Sequence, residues 1–281
     1  MTNSHSREQS VKDQLKAKRD QTGVSYNILV KKFFIDGLLS LLSDSAYATK
    51  FVWKGGFVLS AITGVEKRTT VDLDTMLKGV RVDIPTLTAI IQDVISHESE
   101  NGCQYSLIDI TPIQEEKAYQ GLRVRLQGQL GQMRDKFHLD VATGEKIEPA
   151  AVKWQYKPLL GEDFIPLFIY RPERILAEKL QTVLERSIAN TRMKDFYDIC
   201  TVPKLVSINH DVLTDAFDIV MRERGSSDLL DYWQGTLDLI RGNQRMQRQW
   251  ADYAKKHEFV GKLTFSDTLN SVQGLLESLT N

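Results

Sequence analysis

The chain has 281 residues, of which 42% are hydrophobic and 26% are charged. These proportions are typical of a folded globular protein and exclude wholesale disorder, and the length allows one large domain or two modest ones. Lysine and arginine together number 36 and aspartate and glutamate 37, so the formal net charge is -1. A polyanionic partner would therefore have to be held by a local basic patch, because the molecule as a whole does not attract it.

The cysteine count and the hydropathy pattern restrict the compartment. Only Cys103 and Cys200 are present, too few for a disulfide scaffold or a cysteine-based zinc site, and they fit a reducing compartment. Residues 1–21 are polar and lack the apolar core of a signal peptide. No window approaches the roughly 18 consecutive apolar residues of a membrane span. We therefore expect a soluble cytoplasmic protein without membrane contact.

The first predicted elements are two helices and a strand–turn–helix unit. Residues 7–20 are charged and free of proline, which predicts a solvated helix. Residues 27–43 carry apolar side chains at helical spacing, which predicts a helix with one broad buried face. In residues 51–65, the pair Gly55 and Gly56 separates two apolar runs, which predicts a strand, a tight turn and a helix.

The next part of the chain predicts strands. Residues 71–76 alternate apolar and polar side chains, so a strand there places Asp72 and Asp74 on one face. A helix is expected over residues 85–99, with Pro85 in its first turn. Three further strand segments follow, at residues 104–113, 121–130 and 136–143.

Polar residues on the last two of these strands face away from the apolar ones. In residues 121–130, Arg123 and Arg125 lie opposite the apolar positions. In residues 136–143, His138 and Asp140 do so.

From Arg171 onward the pattern is helical. The expected helices cover residues 172–187, 194–199, 212–223, 227–241, 243–257 and 266–278. The sequence thus predicts an α+β fold. Residues 1–170 would form a domain with a mixed sheet flanked by helices, and residues 171–281 an all-helical domain.

Three carboxylates are candidates for catalysis. Asp72 and Asp74 share one strand face, and Asp140 lies on the polar face of a later strand. If these strands are neighbours, the three acids converge and repel one another unless a cation balances them. Mg²⁺ or Mn²⁺ takes oxygen ligands and shares them with substrate phosphates. Two such ions can align an attacking oxygen and a leaving pyrophosphate.

The glycine pair adds a phosphate-binding element. Backbone N–H groups at Gly55 and Gly56 can hold a triphosphate at the positive end of a helix. This order of elements is the plan of a nucleotidyltransferase site that takes an NTP as substrate. The alternatives are a solvated Asp-x-Asp face, an ordinary Gly-Gly turn, and an exposed strand position for His138.

The region around these residues resembles the AbiEii/AbiGii nucleotidyltransferase toxin family. The family pattern is an apolar run, Lys-Gly-Gly, a helix, and then Arg-x-Ser/Thr-x-Asp-Leu-Asp. The matching positions are Lys54, Gly55, Gly56, Arg68, Thr70, Asp72 and Asp74. One departure is Phe57, which stands where the family usually has Thr or Ser and removes a hydroxyl from a possible phosphate contact.

A second block, over residues 171–199, resembles the family's later motif. The matching positions are Glu173, Glu178, Lys179, Arg192, Lys194, Asp195, Tyr197 and Asp198. The similarity spans about residues 30 to 200 and leaves the last 80 or so unmatched.

The resemblance implies a nucleotidyltransferase domain followed by a helical domain that completes the active-site cleft. It also implies a toxin of a toxin–antitoxin or abortive-infection system, encoded beside a cognate antitoxin. Related members transfer nucleotides from an NTP, in some cases to the 3′ end of tRNA.

Roles for individual residues follow from this resemblance and from their chemistry. Asp72 and Asp74 would hold the metal ions, and Asp140 would ligate one ion or act as general base. Lys179 would meet the triphosphate, and Asp195 would position Lys179 or the acceptor. Lys54, Gly55, Gly56, Arg68 and Thr70 would bind the nucleotide.

Each motif also has a structural interpretation. Lys179 could lie in water on a plain amphipathic helix. Phe196 and Tyr197 are expected in the core in either case, with Asp198 as a cap or an ion-pair partner.

A possible acceptor-binding face lies near the end of the chain. Arg241, Arg245 and Arg248 share one face if their helix is continuous, and could grip nucleic-acid phosphates while Trp250 and Tyr253 stack on bases. The favoured alternative is a solvated arginine face with both aromatics in the core. Arg123 and Arg125 form a second candidate patch, or else pair with acids on neighbouring strands.

The leading hypothesis is therefore a metal-dependent nucleotidyltransferase toxin acting on tRNA. A protein-nucleotidylating enzyme would use the same metal and NTP with a different acceptor. A non-catalytic binding module on the same scaffold is the rival from another class.

Overall fold

The computed structural model describes residues 2–68, 70–113, 121–142 and 147–280. The chain divides into two compact units, one of residues 1–146 with 151–170 and one of residues 147–150 with 171–281. Residues 147–150, which were predicted in the first domain, cluster with the second unit. There the Glu148 carbonyl accepts a hydrogen bond from Nη1 of Arg174 at 2.7 Å.

The first unit is built on one seven-stranded mixed sheet. Its strands are β1 (Phe51–Lys54), β2 (Leu73–Leu77), β3 (Gln104–Pro112), β4 (Leu122–Leu130), β5 (Met133–Ala142), β6 (Val152–Tyr156) and β7 (Ile165–Ile169). Their order across the sheet is β3-β4-β5-β2-β1-β7-β6. The β2–β5 and β1–β7 pairs are parallel, and the other neighbours are antiparallel. The predicted α+β fold with a mixed sheet is confirmed.

Strands β6 and β7 were not predicted. Each has only five residues, and Pro166 interrupts the pattern of β7. Proline is a poor strand residue because it lacks an N–H donor. The neighbouring strands β1 and β6 nevertheless pair with β7 on both sides.

Four helices accompany the sheet. They are α1 (Thr2–Thr22), α2 (Tyr26–Asp44), α3 (Gly55–Thr63) and α4 (Ile84–Ile95). Helix α1 is not fully solvated as predicted, because Leu15 is completely buried. Helix α2 packs closely on β4, where a methyl group on Gly128 would lie 2.5 Å from the Phe34 ring.

The strands near the centre of the sheet have one apolar and one polar face. Val124 on β4 and Leu139 on β5 are completely buried and lie opposite each other. Because side chains alternate along a strand, Arg123 and Asp140 point to the other face of the sheet. Gly128 shares the face of Val124, so the charged residues lie on the face opposite helix α2.

The second unit contains helices and no strand among its described residues. Its α-helices are α5 (Pro172–Arg186), α6 (Met193–Leu205), α7 (His210–Glu223), α8 (Trp233–Gly242), α9 (Gln244–Lys256) and α10 (Phe265–Thr280). The helix expected over 227–241 is instead a short 3₁₀ turn, Ser227–Asp231, followed by α8. Phe196 of α6 packs edge-on against Phe265 of α10, with 5.3 Å between ring centroids.

The apolar length that a bilayer requires is not reached by any helix in the described part of the chain.

Candidate active site

Four charged side chains form a row across adjacent strands of the first unit. Arg123 on β4 lies opposite Asp140 on β5, and Asp140 lies opposite Asp74 on β2. Asp74 in turn lies opposite Lys54 on β1. Directly opposed residues project to the same face of a sheet. In this charged row, the charges from β4 to β1 are therefore positive, negative, negative and positive.

Asp72 joins this group from the position directly before β2. It is exposed, and its backbone N–H donates to Oγ1 of Thr70 at 3.2 Å. The pKa of Arg123 is raised mainly by its hydrogen bond to Asp140, with further contributions from the charges of Asp140, Asp72 and Asp74. All three predicted carboxylates thus act on a single guanidinium group.

Arg123 binds Asp140 through two parallel hydrogen bonds. Nε lies 2.7 Å from Oδ1, and Nη2 lies 2.7 Å from Oδ2. Arg125 makes the same kind of pair with Asp109 on β3. Both arginines therefore pair with acids on neighbouring strands, and the alternative that they form an open basic patch is wrong.

Gly55 lies directly beside Asp74. Its φ is +68°, in the left-handed region that favours glycine. A methyl group there would lie 2.7 Å from Oδ2 of Asp74, closer than van der Waals contact allows. The turn therefore requires glycine both for its conformation and for the approach of the carboxylate.

Gly56 faces the residues that precede β2. A methyl group on Gly56 would lie 3.2 Å from Nη2 of Arg68 and 3.6 Å from Oγ1 of Thr70. Arg68 is 5% exposed. The glycine pair thus connects Asp74 with Arg68 and Thr70, so the residues of the first motif share one place in the fold.

The glycine pair also begins helix α3, whose first N–H groups lack partners within the helix. Lys54, the residue before the helix, makes no side-chain hydrogen bond that caps it. A helix N-terminus with this arrangement suits a phosphate group.

Phe57 packs into the core. It is 4% exposed, and its ring centroid lies 5.7 Å from that of Trp53 and 5.5 Å from that of Tyr156. A side chain with these contacts fills the space between α3 and the sheet. The departure from the usual Thr or Ser therefore exchanges a hydroxyl for core packing and leaves the backbone N–H groups unchanged.

The carboxylates fit a metal ion only in part. Over the described ranges, no group of three or more His, Cys, Asp or Glu side chains is arranged to hold a metal ion. Arg123 hydrogen-bonds both oxygens of Asp140, and a metal-binding role for the three carboxylates stays a prediction. Asp72 and Asp74 remain suitable, because Mg²⁺ is usually held by one or two carboxylates and substrate phosphates.

The second family motif forms a buried ion network between α5 and α6. Nζ of Lys179 lies 2.6 Å from Asp195 and 2.8 Å from Asp198. Arg192 reaches the other oxygen of Asp195 at 2.6 Å. Lys179 is 6% exposed, and both aspartates are completely buried. The alternative that Lys179 lies in water is wrong.

The charge state of Asp195 is set by two opposing effects. Burial alone would raise the pKa of this carboxyl, but the neighbouring charges of Lys179 and Arg192 outweigh it. The pKa of Asp195 is therefore held well below its usual value. Lys179 and Arg192 thus pair with Asp195 and Asp198 in the ion pairs that the structure describes here.

The aromatic residues of this motif lie in the core as expected. Phe196 is completely buried, and Tyr197 packs on Phe259 with 5.0 Å between ring centroids. Asp198 is the ion-pair partner that the structural interpretation allowed.

The three arginines near the end of the chain lie on two helices, so the condition of one continuous helix is not met. Helix α8 ends at Gly242, and Asn243 caps α9 by accepting from the Met246 N–H at 3.1 Å. Arg241 belongs to α8 and donates to Asn270 and Gln273 of α10.

Arg245 and Arg248 are exposed on α9. Trp250 is buried, and its indole N–H donates to the Leu263 carbonyl. Tyr253 packs beside Trp250, with 5.7 Å between ring centroids. Trp250 therefore lies in the helical core, as the favoured alternative predicted, and Tyr253 is half-buried beside it.

Comparison with known families decides the assignment. Residues 37–271 match the family described as nucleotidyl transferase AbiEii toxin of type IV toxin–antitoxin systems. The chain belongs to the AbiEii nucleotidyltransferase toxin family. The AbiEii match extends well beyond the two motifs and includes most of the helical unit. No curated protein matches the chain.

Two solved structures are similar to the chain. The crystal structure of JHP933 from Helicobacter pylori is similar with a TM-score of 0.52 and 14% identity, over 91% of this chain and 93% of that one. A second crystal structure, of an H. pylori protein assigned as a nucleotidyltransferase, has a TM-score of 0.49 and 14% identity, over 92% and 98% of the chains. At these identities the likeness to JHP933 concerns the fold alone.

Arg123 was not identified from the sequence as a member of the site. Its alternation with apolar residues on β4 showed only which face it occupies. Register decides its partner, because Arg123 lies opposite Asp140 whereas Arg125 lies opposite His138.

Proposed function

We propose that this AbiEii-family chain is an active nucleotidyltransferase that transfers a nucleoside monophosphate from an NTP to an acceptor hydroxyl, with the tRNA 3′ end as the acceptor. The single observation that carries the proposal is the Asp74 carboxylate beside the Gly55–Gly56 turn that begins helix α3. Acidic oxygens and the N–H groups of a helix start then lie side by side, as an NTP and its cation require.

The first unit supplies the groups for the nucleotide. The N–H groups at the start of α3 would bind the triphosphate, and the cations of Lys54 and Arg68 would balance its charge. Asp72 and Asp74 would hold Mg²⁺ or Mn²⁺ together with phosphate oxygens. When bound, the ion would polarise the α-phosphate and neutralise the triphosphate.

The reaction forms one bond and breaks one. The acceptor oxygen attacks the α-phosphorus, the bond from that phosphorus to the bridging oxygen breaks, and pyrophosphate leaves. The acceptor proton passes to a carboxylate of the site or to water.

In the second unit, we assign Lys179 to phosphate binding and Asp195 to its positioning. The 2.6 Å distance between Nζ and the carboxylate supports the positioning role, and the place of Lys179 in the AbiEii motif supports phosphate binding. Lys179→Arg keeps the charge, and Lys179→Met removes it. We expect Lys179→Met to abolish transfer and Lys179→Arg to retain part of it.

The exposed face of α9 is the proposed acceptor surface. Arg245, Arg248, Lys255 and Lys256 are exposed there, and no ion pair links them to other residues that the structure describes. Their positions at intervals of three, seven and one place them on one side of the helix. Surface cations of this kind bind nucleic-acid phosphates independently of sequence.

A labelling experiment tests the proposal. The protein is incubated with each α-³²P-labelled NTP, Mg²⁺ or Mn²⁺, total tRNA and cell protein. We expect label at the 3′ end of tRNA. Label in protein would instead favour modification of a Ser, Thr or Tyr hydroxyl, and label in neither would overturn the proposal.

The toxin role has its own test. We expect expression of the chain to arrest growth, and Asp74→Asn to relieve the arrest without loss of folding. Co-expression of the neighbouring antitoxin gene should also relieve it. Undiminished arrest by Asp74→Asn would favour the non-catalytic binding module.

A further inference from the structure

We propose that Arg123 is the built-in second cation of the site, withdrawing Asp140 from metal binding so that the chain holds one divalent ion rather than two. This inference rests on the proposed function, because it concerns how the same site binds its triphosphate substrate. It assigns to Arg123 a positioning role that acts through Asp140.

The geometry of the pair supports this role. The two hydrogen bonds of 2.7 Å engage both carboxylate oxygens of Asp140. A planar guanidinium that meets a carboxylate in this way is strongly oriented, and the bonds are charge-assisted. A metal ion that bound Asp140 would have to compete with both bonds.

The position of the pair matters as much as its geometry. Asp140 lies directly opposite Asp74, which is the carboxylate beside the glycine turn. A cation that neutralises Asp140 therefore also relieves the repulsion between these two acids. In sites with two metal ions, the second ion meets this need.

Arg125 and Asp109 provide an internal comparison. They repeat the bidentate pair two residues along the same strand face. Asp109 lies on β3 at the edge of the sheet, whereas Asp140 lies on β5 directly opposite Asp74 of β2. The same chemical pair thus occurs once beside the candidate site and once away from it.

Counting the metal ions bound to each variant tests the inference without measuring catalysis. Equilibrium dialysis of the full chain against Mn²⁺ with inorganic tripolyphosphate gives the number of protein-bound ions. We expect one Mn²⁺ per chain for the parent and one for Asp140→Asn. Arg123→Gln releases Asp140 and should bind two, and the double variant with Asp140→Asn should return to one.

Arg125→Gln is the matched control and should bind one ion. Circular dichroism and thermal unfolding show that each variant is folded. A parent chain that binds two ions or none, or an Arg123→Gln variant that still binds one, overturns the inference.

The outcomes separate this inference from the proposed function. Ion counts as expected without nucleotide transfer would contradict the function and leave the role of Arg123 standing. Nucleotide transfer by a parent chain that binds two ions would support the function and contradict the role of Arg123.

Discussion

At the scale of single residues, Gly55 is the most constrained position of the site. A side chain there meets both an unfavourable φ of +68° and an atom of Asp74 at 2.7 Å. The left-handed conformation costs an L-residue about 1–2 kcal/mol. A displaced reacting group can cost about 10²-fold in rate. We therefore expect Gly55→Ala to lower kcat/KM for nucleotide transfer by about that factor.

Gly56→Ala is the control for this prediction. The nearest atom to its added methyl group is the end of the Arg68 side chain, at 3.2 Å, and its φ is not in the left-handed region. The loss should be clearly smaller than for Gly55→Ala in the same assay. Equal effects of the two substitutions would contradict the special role of Gly55.

A second prediction at this scale concerns Cys103. Burial raises the pKa of this thiol to about 12. At pH 8 the folded protein should therefore hold Cys103 as an unreactive thiol, because the thiolate is the reactive form. Iodoacetamide labelling followed by mass spectrometry should modify Cys103 only after denaturation. Rapid labelling of the folded chain at this residue would contradict the prediction.

At the scale of elements, the ion network between α5 and α6 makes stability depend on pH. The pKa of Asp195 is lowered in the folded chain. Its contribution to the free energy of unfolding is therefore present above the pKa of about 4 that it has in the unfolded chain, and is lost as the pH falls below that value. Removing one partner of a buried ion pair costs about 3–5 kcal/mol.

We expect Asp195→Asn to lower the free energy of unfolding by about this amount at pH 7. The difference from the parent should shrink as the pH falls from 5 to 3, because the unfolded carboxyl then takes up a proton. Denaturant unfolding at a series of pH values measures this difference in the free energy of unfolding. A difference that stays constant over this range would contradict the ionic origin of the effect.

Helix α9 carries the prediction about acceptor binding. Replacing Arg245 and Arg248 by Gln should weaken tRNA binding and reduce the slope of log K against log salt by about 2, one for each phosphate that the variant no longer binds. Filter binding at several salt concentrations measures this slope. The exposed Arg222 of α7 provides the control, and Arg222→Gln should leave the slope unchanged. An unchanged slope in the double variant would remove α9 from the acceptor surface.

The elements also show which parts of the fold the sequence predicts. Alternation identified β4 and β5, because each has one buried and one polar face. Strands β6 and β7 lacked such a signal because each has only five residues. The pairing of β7 with β1 is a long-range contact that no local pattern indicates. The break between α8 and α9 had a local signal in Gly242 and Asn243, a helix end followed by a cap.

At the scale of the whole molecule, the sequence predicted which acidic residues form the candidate site. It did not predict which residue pairs with Asp140. The motif identified Asp72 and Asp74, and strand alternation added Asp140. The partner of Asp140 depends on strand register, which places Arg123 and not Arg125 opposite it. Register arises from the packing of the whole sheet, so the local pattern could not distinguish the two arginines.

Because the net charge is only -1, the binding of anionic ligands depends on local groups and not on the charge of the whole molecule. The molecule as a whole does not attract a polyanion, so both triphosphate and RNA must be bound by particular groups. Activity should therefore depend on individual carboxylates and cations. A comparison of two aspartates on the same sheet can test this dependence.

The most direct measurement is transfer of label from an α-³²P-labelled NTP to tRNA by the parent, Asp74→Asn and Asp109→Asn. Asp109 pairs with Arg125 at the surface, so replacing it should change the stability little. We predict that Asp74→Asn lowers transfer by about 10²-fold to 10³-fold, while Asp109→Asn retains the parent rate. Equal transfer by Asp74→Asn and the parent would contradict the account.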